Sequence, residues 1–443
     1  MVKRFKNAPN TGKNSIQPKI IPRAEHTISR DHIHRNALKV LYRLHNAGFS
    51  AFLVGGCVRD LLLNHQPKDF DIATDAHPDE VRKLFKNSRL IGKRFRLAHI
   101  VFGKEIVEVA TFRTHHENIS QEDIAKTHQG MIMRDNVYGT IVDDASRRDF
   151  TINGLYYNIA DFSVVDYVNG MQDISTRTLR IIGDPVTRYH EDPVRLLRAV
   201  RFMGKLNLNI SPETEAPLLT LSHLLGKVSP ARLYLEVMKF FQEGATLPTF
   251  HLLRKYHLFA ELFPAINECL TQPEAIQLIE NALAETDKRV KDSKTVSPAF
   301  IFSVLLWPLV TKNLEKLRPK KMPLYVAYEN AIHHAVKDKT ERLAIPRLLL
   351  VSIREICLLQ FRFTQRFGTR PYRLLGHPRF RAAYDLFLLR QQSGEPLLEL
   401  TTWWQRFYEA TEDERVTILK EVEKTIPNNK RKKRKKKKTE QVQ

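Results

Sequence analysis

Ala51-Phe52-Leu53-Val54-Gly55-Gly56-Cys57-Val58-Arg59-Asp60, followed shortly by Lys68-Asp69-Phe70-Asp71-Ile72-Ala73-Thr74, decides how the first half of this chain is read. Ala51–Val54 is an apolar, strand-like run, two glycines interrupt it, and Val58–Leu63 continues at helical spacing. A strand that enters Gly55-Gly56 and leaves as a helix lets backbone amides approach a phosphate, and the helix start favours negative charge. Arg59 would add a fork of donors to such an anion. The same residues also suit an ordinary turn. In the second run, alternate residues share one face of a strand, so Asp69 and Asp71 project together while Phe70 and Ile72 enter the core. Two carboxylates on one face repel unless a cation sits between them, and Mg²⁺, a hard ion bound through carboxylates and substrate phosphates, meets that need. A polar strand end is the plain alternative.

Three further stretches extend the pattern. Ile106-Val107-Glu108-Val109-Ala110-Thr111-Phe112-Arg113 places Glu108 inside an apolar strand, where a lone carboxylate is costly unless a partner offsets it or the residue faces water. Asp143-Asp144-Ala145-Ser146-Arg147-Arg148-Asp149 packs dense charge against an apolar run, which fits either a salt-bridged loop or a polyphosphate site in which Arg147 and Arg148 neutralise charge. In Glu191-Asp192-Pro193-Val194-Arg195-Leu196-Leu197-Arg198-Ala199-Val200-Arg201, Pro193 opens a helix, and Arg195, Arg198 and Arg201 recur at i, i+3. Asp192 is either a cap or, with Arg195, a reader of a base edge. A carboxylate accepts from an exocyclic amine while a guanidinium donates to the neighbouring ring acceptor.

Outward from these stretches, residues 31–47 predict an amphipathic helix through Ala37, Leu38, Leu41 and Leu44, ended by Gly48. Strands are expected at 51–54, 70–73, 97–102, 106–112, 155–159 and 164–167, and a polar loop at 114–137. Beyond about residue 186 strand signals fade, and helices are expected at 194–205, 231–242, 249–256, 273–284, 299–309 and 345–361. The fold class is α+β: a head with a small mixed β-sheet and helices, then an all-α neck and body. The expected organisation is a disordered basic arm at 1–28, a head at 29–185, a helical neck at 186–245, a helical body at 246–426 and a basic tail at 427–443.

The 443 residues carry 71 Lys+Arg against 49 Asp+Glu, a formal net charge of +22. Nine unbroken basic residues from Lys430 to Lys438, with Glu440, give 430–443 a charge of +8 and leave +14 on the rest. Both body and tail therefore attract polyanions, and Lys430, Arg431, Lys432, Lys433 and Arg434 are candidate nucleic-acid contacts; a solvated or localising tail is the bland reading. No run of apolar residues is long enough to span a membrane. The N-terminus has no apolar core of a secretory signal, and three scattered cysteines, Cys57, Cys269 and Cys357, exclude a disulfide scaffold and suit a reducing cytoplasm.

LVGGCVRD (53–60), DFDIAT (69–74), EVATFR (108–113), RRDFTIN (147–153) and EDPVRLLRAVRF (191–202) together resemble the motifs of class II template-independent nucleotidyltransferases, within the polymerase-β-like superfamily. Leu90–Ile100, the stretches HTISR (26–30) and NALKVLYRLHNAGF (36–49), and SPARLYLEVMKFF (229–241) are similar to the bacterial poly(A) polymerase branch rather than the CCA-adding one. The chain has no His-Asp dipeptide of the kind found in phosphohydrolase-bearing CCA enzymes, and His333-His334 reads as two helix residues. The resemblance implies polyadenylation of RNA 3′ ends with ATP as substrate. It implies two Mg²⁺ ions held by Asp69, Asp71 and Glu108, with Asp149 as a further catalytic residue. Gly55, Gly56, Arg59, Arg147, Arg148, Asp192, Arg195, Arg198 and Arg201 become the nucleotide-binding set. The implied partners are RNA 3′ ends and ATP, with no membrane, for a monomer or weak oligomer that works in RNA processing and decay. A tRNA CCA-adding enzyme and a non-catalytic RNA-binding protein on the same scaffold are the alternatives.

Overall fold

A computed structural model describes residues 17–92, 96–114, 137–317, 322–337 and 342–425. The chain divides into two compact units, Met1–Leu224 and Leu225–Gln443. The division falls inside the stretch 186–245 that the sequence sets apart as a neck.

In the first unit eight strands form one mixed sheet: β1 Lys19–Ile21, β2 Ala51–Val54, β3 Asp71–Thr74, β4 Ser88–Ile91, β5 Leu97–Phe102, β6 Glu105–Thr111, β7 Leu155–Asn158 and β8 Val164–Asp166. Their order is β1-β8-β7-β2-β3-β6-β5-β4. Only β3 and β6 run parallel; the other neighbours are antiparallel. Helix α1, Arg35–Asn46, buries Ala37, Val40, Leu41 and Leu44 and packs on β2, β3 and β6. Each such leucine or valine withdrawn from water contributes ~1.5–3 kcal/mol. On the opposite face, Val54, Ala73, Phe112, Ala145, Tyr156 and Val165 form a buried cluster. The central strands are thus covered on both sides, which is why Ala51–Val54 is nearly all apolar.

The structure corrects the disordered arm over its described part. Residues Lys19–Ile21 pair with Asp166–Val164, Ile21 and Ile28 are buried, and the His26 ring bonds the Phe162 carbonyl at 2.8 Å. A three-residue strand with one inward side chain has no periodicity to detect; the edge of β8 supplies its partners. Residues 1–16 and most of the expected polar loop, 115–136, lie outside the described residues.

The second unit is helical. Helix α14, Pro298–Leu317, buries Ile301, Phe302, Val304, Leu305, Leu306, Trp307, Leu309 and Val310, and α13 (Pro273–Lys291), α15 (Leu324–Lys337), α16 (Arg347–Arg362) and α18 (Phe380–Gln392) pack against it. A helix apolar on all sides must be central. His333 and His334 lie on α15 as helix residues. All three cysteines are buried free thiols. Among the described residues no helix is long and apolar enough to cross a membrane.

Candidate active site

The sheet brings the acidic residues together. Asp71 opens β3, and its cross-strand partner on parallel β6 is Glu108. Partners in register share a face, so the two carboxylates stand side by side. Asp69 lies just ahead of β3, and the expected alternation holds: Phe70 and Ile72 are buried while Asp69 and Asp71 are exposed. Asp71 is open to solvent on one side but crowded by protein on the other. Burial, then Glu108, then Asp69, push its carboxyl up to about 6, against the pull of Arg148. The set therefore holds negative charge that Arg148 offsets only in part, which fits a divalent cation by the chemistry of its donors. The described residues do not form a ready-made cage of three or more such ligands. Glu108 Oε1 is instead turned to His99 Nε2 at 3.2 Å. Mg²⁺ sites that are completed by substrate phosphates do not require a closed protein cage.

The glycine pair faces cations. Gly55 takes φ +76°, ψ −131°, a conformation that only glycine adopts without strain, and α2, Gly56–Leu62, starts after it. A Cβ on Gly55 would meet Arg148 Nη1 at 3.3 Å. Arg148 is itself held by Asp144 (Nη2–Oδ2 2.9 Å) and Tyr156 (Nε–Oη 3.0 Å), and Tyr156 donates to Asp144 at 2.7 Å. Burial opposes its charge, but Tyr156 and Asp144 more than offset that and raise its pKa. Arg148 is thus the guanidinium that both overhangs the glycine turn and is felt by Asp71.

Arg147 and Arg148 follow α4, Ile141–Ser146, a short helix opened by a capping box between Thr140 and Asp143. Arg188 donates to the carbonyls of Arg147 (2.7 Å) and Arg148 (2.6 Å), fixing the backbone there. Burial, with Arg113, Arg148 and Arg188 nearby, pushes Arg147 down to about 9. A guanidinium stays protonated at neutral pH all the same, so this depression marks a place where cations are crowded and an anion is favoured. Arg113, Asp144 and Arg188 escaped the sequence reading as site residues. They sit within or beside its motifs, but their roles arise only from contacts across the fold.

Asp149 lies in a second network. Its Oδ1 accepts from the Phe150 amide (2.8 Å) and Asn153 Nδ2 (3.0 Å), and its Oδ2 from Arg198 Nε (2.7 Å). Burial opposes its charge, yet Arg198 and these bonds hold the carboxyl well below the usual range. Arg59 joins the same network from α2. It is 4% exposed, bonded to Asp60 through Nε and Nη2 and to Asn153 Oδ1 at 2.8 Å. Its fork is buried and already bonded, yet Nη2 lies beside the glycine turn, 3.6 Å from where a Cβ on Gly56 would sit. Arg59, Arg198 and Arg201 all lie over the ring of Phe202, at 4.9, 5.1 and 4.7 Å from its centroid.

Helices α6, Pro185–Glu191, and α7, Val194–Leu206, meet at Asp192. Asp192 ends α6, its Oδ1 accepts from the Val194 amide at a long 3.4 Å, and the N-cap position of α7 falls on Pro193. Arg195 Nη1 is steadied by the Arg188 carbonyl (2.6 Å) and Glu191 (3.0 Å). Lys430, Arg431, Lys432, Lys433 and Arg434 lie outside the described residues.

Residues 51–180 match the family described as the poly A polymerase head domain, 207–270 its probable RNA- and SrmB-binding site, and 320–438 its arginine-rich C-terminus. Poly(A) polymerase I of Salmonella typhimurium is 48% identical over 413 residues, spanning 91% of this chain and 89% of that protein. The chain belongs to the poly(A) polymerase family. A CCA-adding enzyme of Lactobacillus helveticus is 39% identical over 203 residues, but that match spans only 46% of this chain and 49% of the enzyme. The crystal structure of the Bacillus stearothermophilus CCA-adding enzyme with CTP shares the fold, with a TM-score of 0.52 at 24% identity over 84% of this chain and 81% of that one. Membership makes the chain a nucleotidyltransferase, and the α+β class with a mixed-sheet head and helical body stands.

Proposed function

We propose that this chain adds AMP from ATP to RNA 3′ ends without a template and releases pyrophosphate. Kinship over nine-tenths of the chain supports the polyadenylation reading over CCA addition. The observation that carries the chemistry is the in-register pair Asp71 and Glu108, with Asp69 two residues ahead and the Asp71 carboxyl raised to about 6 by burial and then by Glu108 and Asp69. Asp69, Asp71 and Glu108 would hold Mg²⁺, two ions in the full complex. When bound, the metal supplies charge neutralisation and a lowered pKa for the attacking hydroxyl.

The chain's own residues do the rest. The Gly55-Gly56 amides and the overhanging Arg148 receive the triphosphate, with Arg147 adding positive charge. Their fixed positions hold the α-phosphorus for in-line attack by the RNA 3′-oxygen, in a reaction where positioning and charge stabilisation dominate. Asp149, kept ionised by Arg198, accepts from a ribose hydroxyl or steadies the nucleotide side of the site. Arg59 holds Asn153 and so supports Asp149. Asp192 and Arg195 read the adenine amino group and ring nitrogen, with Glu191 and Arg188 fixing the Arg195 fork. Arg198 and Arg201 stand behind them on Phe202. The basic tail, Lys430 to Arg434 included, binds RNA backbone. Three buried free thiols accord with a cytoplasmic enzyme of RNA processing and decay.

The test is extension of a labelled unstructured RNA with Mg²⁺ and each nucleotide in turn. A long ladder with ATP alone is expected. No ladder, with CCA added to a truncated tRNA, would assign the chain to the other branch, and tight binding without extension would make it a non-catalytic binder.

A further inference from the structure

The outer half of the sheet has two unlike faces. On one, Ala98, Ile100, Val107 and Val109 are all 5% exposed or less. The other carries Arg89 and Ile91 on β4, Leu97, His99 and Val101 on β5, and Ile106, Glu108 and Ala110 on β6, and none of these is buried. Ile91 is 46% and Ile106 51% exposed. A sheet face turned to water is ordinarily polar, because alternation sends apolar side chains to the core. Branched apolar residues on an open face mark a surface that something covers.

The charge on this face runs in one direction. Asp71, Glu108, His99 and Arg89 are successive cross-strand partners over β3, β6, β5 and β4. His99 bonds Glu108, while Arg89, at the edge, is exposed and makes no ion pair among the described residues. The row thus passes from anionic at the reaction centre to cationic at the edge strand, about 10 Å beyond Glu108 at the usual strand spacing. Apolar side chains flank it.

We propose that the open face of β4, β5 and β6 seats the 3′-terminal nucleotides of the RNA being extended, with Arg89 on a phosphate and Ile91 and Ile106 against the terminal bases or riboses. The occupant follows from continuity and charge. The strand end that delivers its hydroxyl to Asp71 and Glu108 must leave over an adjoining surface, and this one offers a cation for its backbone and apolar area for its bases. Apolar contact carries no donor–acceptor code, so the seat accepts any base, as an enzyme working on varied ends requires. The proposal rests on the polyadenylation reading for its substrate.

The test uses the full chain and the variants Arg89→Ala, Arg89→Glu and Ile106→Glu, all at exposed positions. Removing one phosphate contact should lower the slope of log affinity against log salt by about 0.7 for single-stranded RNA, read by anisotropy without ATP. Arg89→Glu and Ile106→Glu should each raise KM for RNA about five- to tenfold and leave KM for ATP unchanged. A 4-thiouridine at the RNA 3′ end should crosslink within 88–91 or 97–110 in the parent and lose that crosslink in Ile106→Glu. Unchanged RNA affinity and slope, with the crosslink elsewhere, overturns the proposal. So does a change confined to melting temperature or sedimentation, which would assign the face to another part of the chain or a second copy. Failure of the parent to incorporate AMP, with binding and crosslink as expected, would count against the polyadenylation reading alone.

Discussion

Asp71 and Asp149 show how one residue type is tuned in opposite directions within one unit. Asp149 is surrounded by donors and its carboxyl is held low, so it is ionised throughout the working range. Asp71 is crowded by protein with Glu108 and Asp69 beside it, and burial first, then these like charges, raise its carboxyl to about 6. The sign of the stability effect follows. A raised folded pKa means that the folded protein holds this proton more tightly than the unfolded chain does. The contribution of Asp71 to stability is therefore present below about pH 4 and lost as pH rises through about 6. At pH 8 without metal the charge is a liability, and Asp71→Asn should melt higher than the parent by ~1 kcal/mol after allowance for solvent screening. At pH 4 that advantage should vanish, and the variant should incorporate no AMP at either pH. Melts in EDTA at the two pH values check this; a variant that melts lower at pH 8 would show that Asp71 is not strained by its neighbours. Asp149→Ala has the opposite expectation. It leaves the partly buried Arg198 without its carboxylate and should cost ~2–4 kcal/mol in chemical denaturation, with Asp149→Asn milder.

The elements that deliver these groups are constrained as tightly as the groups themselves. The turn between β2 and α2 favours glycine at 55, because of its positive φ and because a Cβ there would crowd Arg148 Nη1 at 3.3 Å. Gly55→Ala should cost ~1–2 kcal/mol of backbone strain and displace Arg148, raising KM for ATP more than KM for RNA. Steady-state kinetics with each substrate varied in turn separates the two. Helix α7 offers a parallel case. Phe202 carries three guanidiniums on its ring, so Phe202→Leu should keep most of the packing while releasing Arg59, Arg198 and Arg201. Nucleotide affinity should fall severalfold, and equal loss of RNA and ATP affinity would count against the hub. These elements also show what was legible in advance. Strands β2 and β5 matched their expected bounds, because apolar runs bracketed by turn residues have few other readings. The Asp69 and Asp71 alternation was legible for the same reason. Strand β1 was not, since three residues carry no period and the partner strand lies far along the chain. Nor was the bond from Arg59 to Asn153, which depends on Asn153 arriving from beyond β6. His99 was invisible for a related reason: nothing local marks a histidine as the cross-strand neighbour of Glu108.

Along the chain, charge is divided from chemistry. Every residue proposed for catalysis or nucleotide binding lies before Leu224, in the first unit. The densest positive charge, nine basic residues from Lys430 to Lys438, lies at the far end of the chain. Excess charge on a body already at +14 would hold RNA by counterion release, without regard to sequence. Chemistry on bound primer should not sense it. Removal of 430–443 should therefore weaken RNA binding and flatten its salt dependence, by about 3 in log–log slope if half of the nine charges meet phosphates. The rate of AMP addition at saturating RNA and ATP should stay as it was. Anisotropy titrations from low to high salt, beside single-turnover extension, read the two quantities separately. An unchanged slope would mean that the tail makes no phosphate contacts and that the basic body alone holds the RNA. A fall in the saturating rate would mean instead that the tail acts on the reaction centre, and the division of labour argued here would not hold.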